Sequence, residues 1–425
     1  MDRRTTTFPL ALALAILTAA CGGGDLTLPN EGEPAEIEIF GGNRQNGTVG
    51  EALGESLTVM VTDRFGEPVD GASVTWSAEG GGTVDPAQSV TTADGRAGTQ
   101  RVLGPQPTTY FTVASVEGLA DPVTFMSTGQ AGGASAEQST VSAAPESVGA
   151  SSGESASTIT VTVRDELGNP LAGVPVSLSA TGEGNTLVQP TAATDASGVT
   201  TGTLSATGLG SHVVSANAGG TAIEQTATVT VVAGAPVAGN SSASVPNGTA
   251  GAATVMSIQL HDAFGNPVEG ARGSIAVTIT GTNPGAAVSI EEQDGGRYRA
   301  SYTPRFVGND LVEVRVSGAG IPGSPFASAV APGPVSPAAS TATVTRSGDL
   351  FANIDVVVTA RDAQGNPTGR GGDVVLITVN GSPPIGAVDR GNGTYDASIP
   401  TFGFSFTVEI TLNGGVILGS PFTVP

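Results

Sequence analysis

Nearly the same ten residues occur four times in this chain: TDRFGEPVDG from Thr62, RDELGNPLAG from Arg164, HDAFGNPVEG from His261 and RDAQGNPTGR from Arg361. Their aspartates, Asp63, Asp165, Asp262 and Asp362, lie 102, 97 and 100 residues apart (165−63, 262−165, 362−262). A period near one hundred residues is the size of one β-sandwich and is the mark of a linear array. From Cys21 onward the chain has 405 residues (425−20), about 101 for each of four repeats (405/4).

Each turn follows a segment of period-two hydropathy. LTVMVTD offers Leu57, Val59 and Val61, ITVTVRD offers Ile159, Val161 and Val163, and IQLHD and IDVVVTARD repeat the theme. Alternate side chains of a strand face opposite sides of a sheet, so the aliphatic row is buried and the Thr row is wet. A second strand follows each turn: ASVTWSA, VPVSLSA, SIAVTIT and DVVLITV. No segment carries a sustained helical period, and the expected fold is all-β, with about seven strands per repeat. In the turn, Asp accepts hydrogen bonds from backbone amides just ahead, Gly supplies a positive φ, and Pro fixes φ while removing a ladder donor. The four turns therefore read as corners that carry the chain from one sheet to the other.

Composition agrees with small aliphatic cores. Gly 62 and Pro 28 make about a fifth of the 425 residues, and aromatics are 4%. The 39% hydrophobic content, in alternating pattern, indicates folded β domains, not a disordered chain. All 16 basic residues are Arg, against 38 acidic ones, for a formal charge of −22. That balance repels phosphate backbones and anionic membranes, so no nucleic-acid partner is expected.

The amino terminus reads as an export signal. Arg3 and Arg4 precede an apolar run from Phe8 to Ala20, 13 residues (20−7), short of the ~20 that span a bilayer. The run ends in Thr18-Ala19-Ala20 directly before Cys21, the only cysteine. This pattern resembles the bacterial lipoprotein signal, with Thr18 standing where Leu is usual. The resemblance implies that Cys21 becomes the first mature residue and carries acyl chains, more than one of which gives stable anchoring. Residues 21–36 would then be a flexible tether, and Gly22 is compatible with delivery to an outer membrane.

Two further resemblances divide the repeats into pairs. TTADGRAG (Thr91 to Gly98) with YFTVASVEG, and AATDASGVTTGTL with SHVVSANAGG, follow the first two corners. With the corner itself these resemble bacterial immunoglobulin-like domains of the invasin and intimin type. The matching positions are Asp63, Gly66, Pro68, Gly71, Asp94, Gly95 and Ala97, then Asp165, Gly168, Asn169, Pro170, Gly173 and Gly198. Repeat one departs with Glu67 in place of Asn. The last two repeats end in DGGRYRASYTPRFVGNDLVEVRVSGAGIPGSPF (Asp294 to Phe326) and DRGNGTYDASIPTFGFSFTVEITLNGGVILGSPF (Asp389 to Phe422). They resemble filamin-type repeats through Tyr298, Tyr302, Pro304, Gly308 and Gly323 to Phe326, and through Tyr395, Pro400, Gly403 and Gly419 to Phe422. Ile399 replaces the second Tyr and Leu418 the usual Pro. The expected architecture is four tandem immunoglobulin-like β-sandwiches in an extended array. The expected boundaries are a signal peptide 1–20, a tether 21–36, invasin-type domains 37–130 and 131–233, and filamin-type domains 234–332 and 333–425. Pro425 lies three residues after Phe422 (425−422), so no further domain, barrel or lectin-like tip is expected. At roughly 30–40 Å each, four sandwiches end to end would reach on the order of 120–160 Å.

Candidate chemistry is sparse. His212 and His261 are the only histidines, in different repeats, and are expected at surface or half-buried strand positions. GASSG (Gly149 to Gly153) has the letters of a nucleophile elbow without its strand-to-helix setting. Glu291, Glu292 and Asp294 match no calcium loop and read as solvated acidic surface. Asn46, Asn247 and Asn392 begin Asn-Gly-Thr sequences that read first as turns. Trp76, the sole Trp, is expected in a core. No catalytic residue, metal site or cofactor is expected. The chain reads as a non-enzymatic, lipid-anchored cell-envelope stalk or adhesion protein on the outer membrane or cell surface, with a protein or cell-surface partner. The alternative is an envelope glycan- or peptide-binding receptor. Strand addition to an open sheet edge is the binding mode the filamin resemblance implies for repeats three and four.

Overall fold

The computed structural model describes residues 32–425; the expected signal segment 1–20, Cys21 and most of the expected tether 21–36 lie outside the described residues. The described residues fall into two compact units. One holds residues up to 139 with 163–174 and 194–198, and the other holds 140–162, 175–193 and 199–425.

In the first unit, repeat one forms two sheets. One orders Glu36–Gly41, Leu57–Thr62, Arg96–Val102 and Thr83–Asp85; the other orders Gln45–Thr48, Val123–Gln130, Thr109–Val116, Ser73–Glu79 and Gln88–Val90. The alternating row Leu57, Val59 and Val61 is buried against Val74, Trp76, Ala114, Val116 and Phe125 of the facing sheet. Each such aliphatic side chain contributes about 1.5–3 kcal/mol on burial, which is how a core poor in aromatics holds. Trp76 packs on Phe125 at 5.8 Å between ring centroids and donates from Nε1 to Ser89 Oγ at 2.8 Å.

The second unit repeats the plan. Its strands of repeat two make one sheet of Thr140–Ala144, Ser157–Thr162, Val199–Ala206 and Asn185–Val188, and another of Ser147–Gly149, Ala227–Val232, Gly210–Ala218 and Val176–Ala180. Repeat three centres on Thr254–Gln259 in one sheet and Gly308–Val316 in the other; repeat four on Phe351–Thr359 and Phe406–Leu412. In each repeat the strand before the corner and the strand after it lie in different sheets, as the turn chemistry requires. Val59, Ile258 and Val356 occupy three separate cores. Val161 is fully buried in repeat two.

The expectation of about seven strands per repeat is corrected: the described residues hold thirty-six, nine in each repeat. In repeats one to three the first strand breaks and its second piece crosses to the other sheet. There Gln45–Thr48, Ser147–Gly149 and Gly248–Thr249 pair in parallel with the last strand of the repeat. Two- and three-residue strands at hairpin ends, such as Thr221–Ala222, make up the difference. Repeat four departs: Thr341–Ser347 pairs along its whole length with the next strand, and Phe422–Val424 pairs only with Phe406–Leu412.

Candidate functional site

The four corners share one geometry. Asp262 Oδ1 accepts from the backbone amides of Phe264 (2.8 Å) and Asn266 (2.9 Å), while Oδ2 accepts from Gly234 N (3.0 Å) and Asn266 Nδ2 (2.9 Å). Asp362 takes the same four donors from Gln364, Asn366 and Gly333 at 2.8–3.0 Å. Asp165 takes them from Leu167, Asn169 and Gly132 at 2.8–3.1 Å. Asp63 takes three, from Phe65 N, Glu67 N and Gly32 N. The corner glycines, Gly66, Gly168, Gly265 and Gly365, sit at φ +82 to +88, where a side chain would be strained. Gly132, Gly234 and Gly333 belong to the segments that enter each repeat, so each carboxylate also ties down an entry segment. Carboxylates committed in this way are structural acceptors, not proton-abstracting bases.

Burial works to raise the carboxyl pKa of Asp262, but the Asn266 side chain and the amides of Gly234, Asn266 and Phe264 outweigh it and hold it below its ordinary 3.8. Asp165 and Asp362 are lowered on the same balance. The folded chain thus keeps these charges at lower pH than the unfolded chain does. Their stabilisation is complete above the unfolded value and disappears as pH falls through the folded one. Thermal melting is expected to stay flat for these groups from pH 8 to 5 and to drop below about pH 4.

The remaining candidates resolve into structural roles. His212 is not at a surface or half-buried position: it is 1% exposed, which corrects the expectation. Its Nδ1 faces Asn185 Oδ1 (2.7 Å) and Thr181 O (3.2 Å), and its Nε2 faces Gly208 O (3.0 Å). The ring ties two loops together, and it fits because residue 182 is glycine at φ +94, where a Cβ would stand 2.3 Å from Nδ1. Gly182→Ala is therefore expected to destabilise the second repeat by about 2–4 kcal/mol, read from its melting transition. His261 Nδ1 lies 3.1 Å from Asn240 O, and the carboxylate of the adjacent Asp262 is committed to its corner. Ser151 of GASSG donates to Ser155 O at 2.6 Å and accepts from Ser155 N at 2.9 Å, closing a turn. Glu291 pairs with Arg299 at 3.7 Å, and Glu292 accepts from the Tyr298 hydroxyl at 3.1 Å. Asn392 lies in a bend, but Asn46 lies within the strand Gln45–Thr48, so its turn reading is corrected: the crossing first strand needs it extended. Asn247 Oδ1 accepts from Ala329 N at 3.1 Å. Cys21 lies outside the described residues.

Sequence reasoning missed two features. Arg101 is fully buried, donating to the carbonyls of Gly81 (2.6 Å), Val102 (2.8 Å), Thr83 and Glu79 (both 3.3 Å). Its signal was its phase, since it shares the inward row of its strand with Ala97 and Thr99. The second is an exposed apolar patch on repeat four: Phe351, Phe402 and Phe404 are 82%, 66% and 70% exposed. The rings of Phe351 and Phe402 stand 5.3 Å apart.

Comparison with known proteins places this geometry. Residues 138–232 match the bacterial Ig-like domain (group 1) family, and residues 234–327 match the Filamin/ABP280 repeat. Both are non-catalytic structural or binding modules, and the invasin-type and filamin-type resemblances stand. Among solved structures, FdeC, a broadly conserved Escherichia coli adhesin, is 26% identical with a TM-score of 0.51, covering 70% of this chain and 99% of its own. Invasin, a bacterial integrin-binding protein, is 22% identical with a TM-score of 0.48, covering 88% and 76%. InvD of Yersinia pseudotuberculosis is 23% identical with a TM-score of 0.42, covering 66% and 95%.

Proposed function

We propose that this chain is a lipid-anchored stalk and adhesion protein of the cell envelope, held to the membrane through acylated Cys21 and displaying its sandwiches for contact with a protein or cell-surface partner. The observation that carries the reading is the likeness to an adhesin, FdeC, over 70% of the chain. The corners add to it, because their conserved chemistry within the chain is spent on joining strands and leaves the sheet surfaces for contact. The anchor rests on the single cysteine at the end of a short apolar run. The test is protease treatment of intact and lysed cells with Cys21→Ser beside the parent. Digestion of the parent on intact cells and release of the variant from the membrane fraction support the reading. Protection until lysis, or a variant that stays membrane-bound, overturns display or anchoring respectively.

A receptor reading has one observation in its favour, the Phe351, Phe402 and Phe404 patch, since exposed aromatic faces can stack on sugar rings or pack on peptide. Phe351→Ser with Phe402→Ser would abolish ligand binding on that reading and leave membrane anchoring unchanged.

A further inference from the structure

We infer that the Asn of the D-x-x-G-N-P corner is a junction donor, whose side-chain amide bonds the far end of the preceding repeat and sets how consecutive repeats join. In the second unit, Asn266 Nδ2 donates to Thr207 O of repeat two at 2.9 Å, and Asn366 Nδ2 donates to Arg305 O of repeat three at 2.8 Å. In the first unit, Asn169 Nδ2 donates to Pro105 O of repeat one at 2.8 Å. The three acceptors are equivalent. Each lies one residue after a carbonyl already taken by its own repeat, through Gly50 N to Gly104 O (3.2 Å), Ser151 N to Ala206 O (2.9 Å) and Gly251 N to Pro304 O (2.9 Å). The loop therefore presents two successive carbonyls, one closing the repeat and one facing the next corner.

Packing around the bond follows the same rule. Leu167 approaches Gly50, and Gln364 covers Gly251 so closely that a Cβ there would meet its Nε2 at 2.3 Å. The entry glycine of repeat four, Gly333, lies between Asp362 and Ala250 O of repeat three, with room for no side chain: a Cβ would stand 2.8 Å from that carbonyl. Asn169 and Asn366 are buried while the acceptor residues Pro105 and Arg305 are exposed, so the donor is the partner held from water and leaving its N–H unpaired is what costs.

Repeat one separates this role from corner formation. It carries Glu67, a carboxylate that has no N–H to give, and among the described residues no side-chain hydrogen bond involves it. Its corner closes all the same: Asp63 Oδ1 accepts from Phe65 N at 2.8 Å and Glu67 N at 3.0 Å. Asn is thus dispensable for the turn and present where an acceptor carbonyl from a preceding repeat stands opposite.

The test uses the full chain with Cys21→Ser and spin labels at the exposed positions Thr278→Cys and Thr407→Cys, in repeats three and four. Asn366→Glu, which copies the natural corner of repeat one, is expected to broaden the label-to-label distance distribution about twofold, because a junction without its fixed contact reverts to ordinary interdomain mobility. Asn266→Glu should leave that distribution unchanged and broaden the one between Ser177→Cys and Thr278→Cys. Each substitution also removes the Asn donor to its own corner aspartate and sets a second carboxylate beside it, so the melting transition of the repeat that carries it should fall by several degrees but persist. An unchanged width in Asn366→Glu overturns the inference. So does broadening accompanied by loss of repeat four's transition, since Asn366 would then be needed to build the corner itself.

Discussion

Asp362→Ala is expected to remove about 3–5 kcal/mol from repeat four and lower its melting transition on the order of 20 °C. The side chain is fully buried and receives four donors: Gln364 N, Asn366 N, Gly333 N and Asn366 Nδ2. Alanine leaves all four without an acceptor, frees the entry segment at Gly333 and loosens the corner between the strand ending at Thr359 and the strand beginning at Val375. Asp362→Asn keeps the shape but turns an N–H toward N–H donors, so it should cost about half as much. Asp63→Ala, with three donors to lose in place of four, should cost less than Asp362→Ala. Differential scanning calorimetry of the full chain reads each loss.

Arg101→Ala is expected to cost repeat one about 3–5 kcal/mol. The guanidinium holds four carbonyls, one in a turn at Gly81 and three at the strand ends Glu79, Thr83 and Val102, and lies 5.6 Å from the Tyr110 ring. Among the described residues no carboxylate pairs with it, and burial lowers its pKa, yet it remains charged because arginine starts so high. Its removal leaves a cavity and unpaired carbonyls together. Arg101→Lys should recover only part of the loss, because three donors on a point charge cannot reach a set that a planar fork spans. Arg101→Met, which fills volume without donating, separates the cavity from the lost hydrogen bonds.

What the sequence made legible was what repeats locally. The row Leu57, Val59, Val61 and its counterparts exposed the buried face because strand side chains alternate whatever the tertiary context. The corner was legible because Asp, Gly and Pro act within six residues of one another. Tyr298 and Tyr395 belong to the matched pattern, and both tie the segment that leads from the corner into the next strand: their hydroxyls accept from Ala271 N at 2.9 Å and Asp373 N at 3.0 Å. What stayed hidden depends on partners far along the chain. The burial of His212 requires Thr181, Asn185 and Gly208 to converge on it, and Arg101 requires carbonyls 20 and more residues upstream. The amide of Asn266 finds its acceptor 59 residues back, in another repeat. The exposed phenylalanines Phe351, Phe402 and Phe404 of repeat four drew no reading from the sequence, because an apolar ring in or beside a strand is ordinarily a core residue and only the packed sheets show it on the surface.

If each repeat has its own core, the loss should stay within one repeat, and hydrogen exchange by mass spectrometry on full-length Asp362→Ala tests this most directly. Exchange should speed roughly 10²- to 10⁴-fold in Phe351–Thr359 and Phe406–Leu412 while Leu57–Thr62, Ser157–Thr162 and Thr254–Gln259 keep the parent's rates. Concerted loss of protection in all five segments would contradict it.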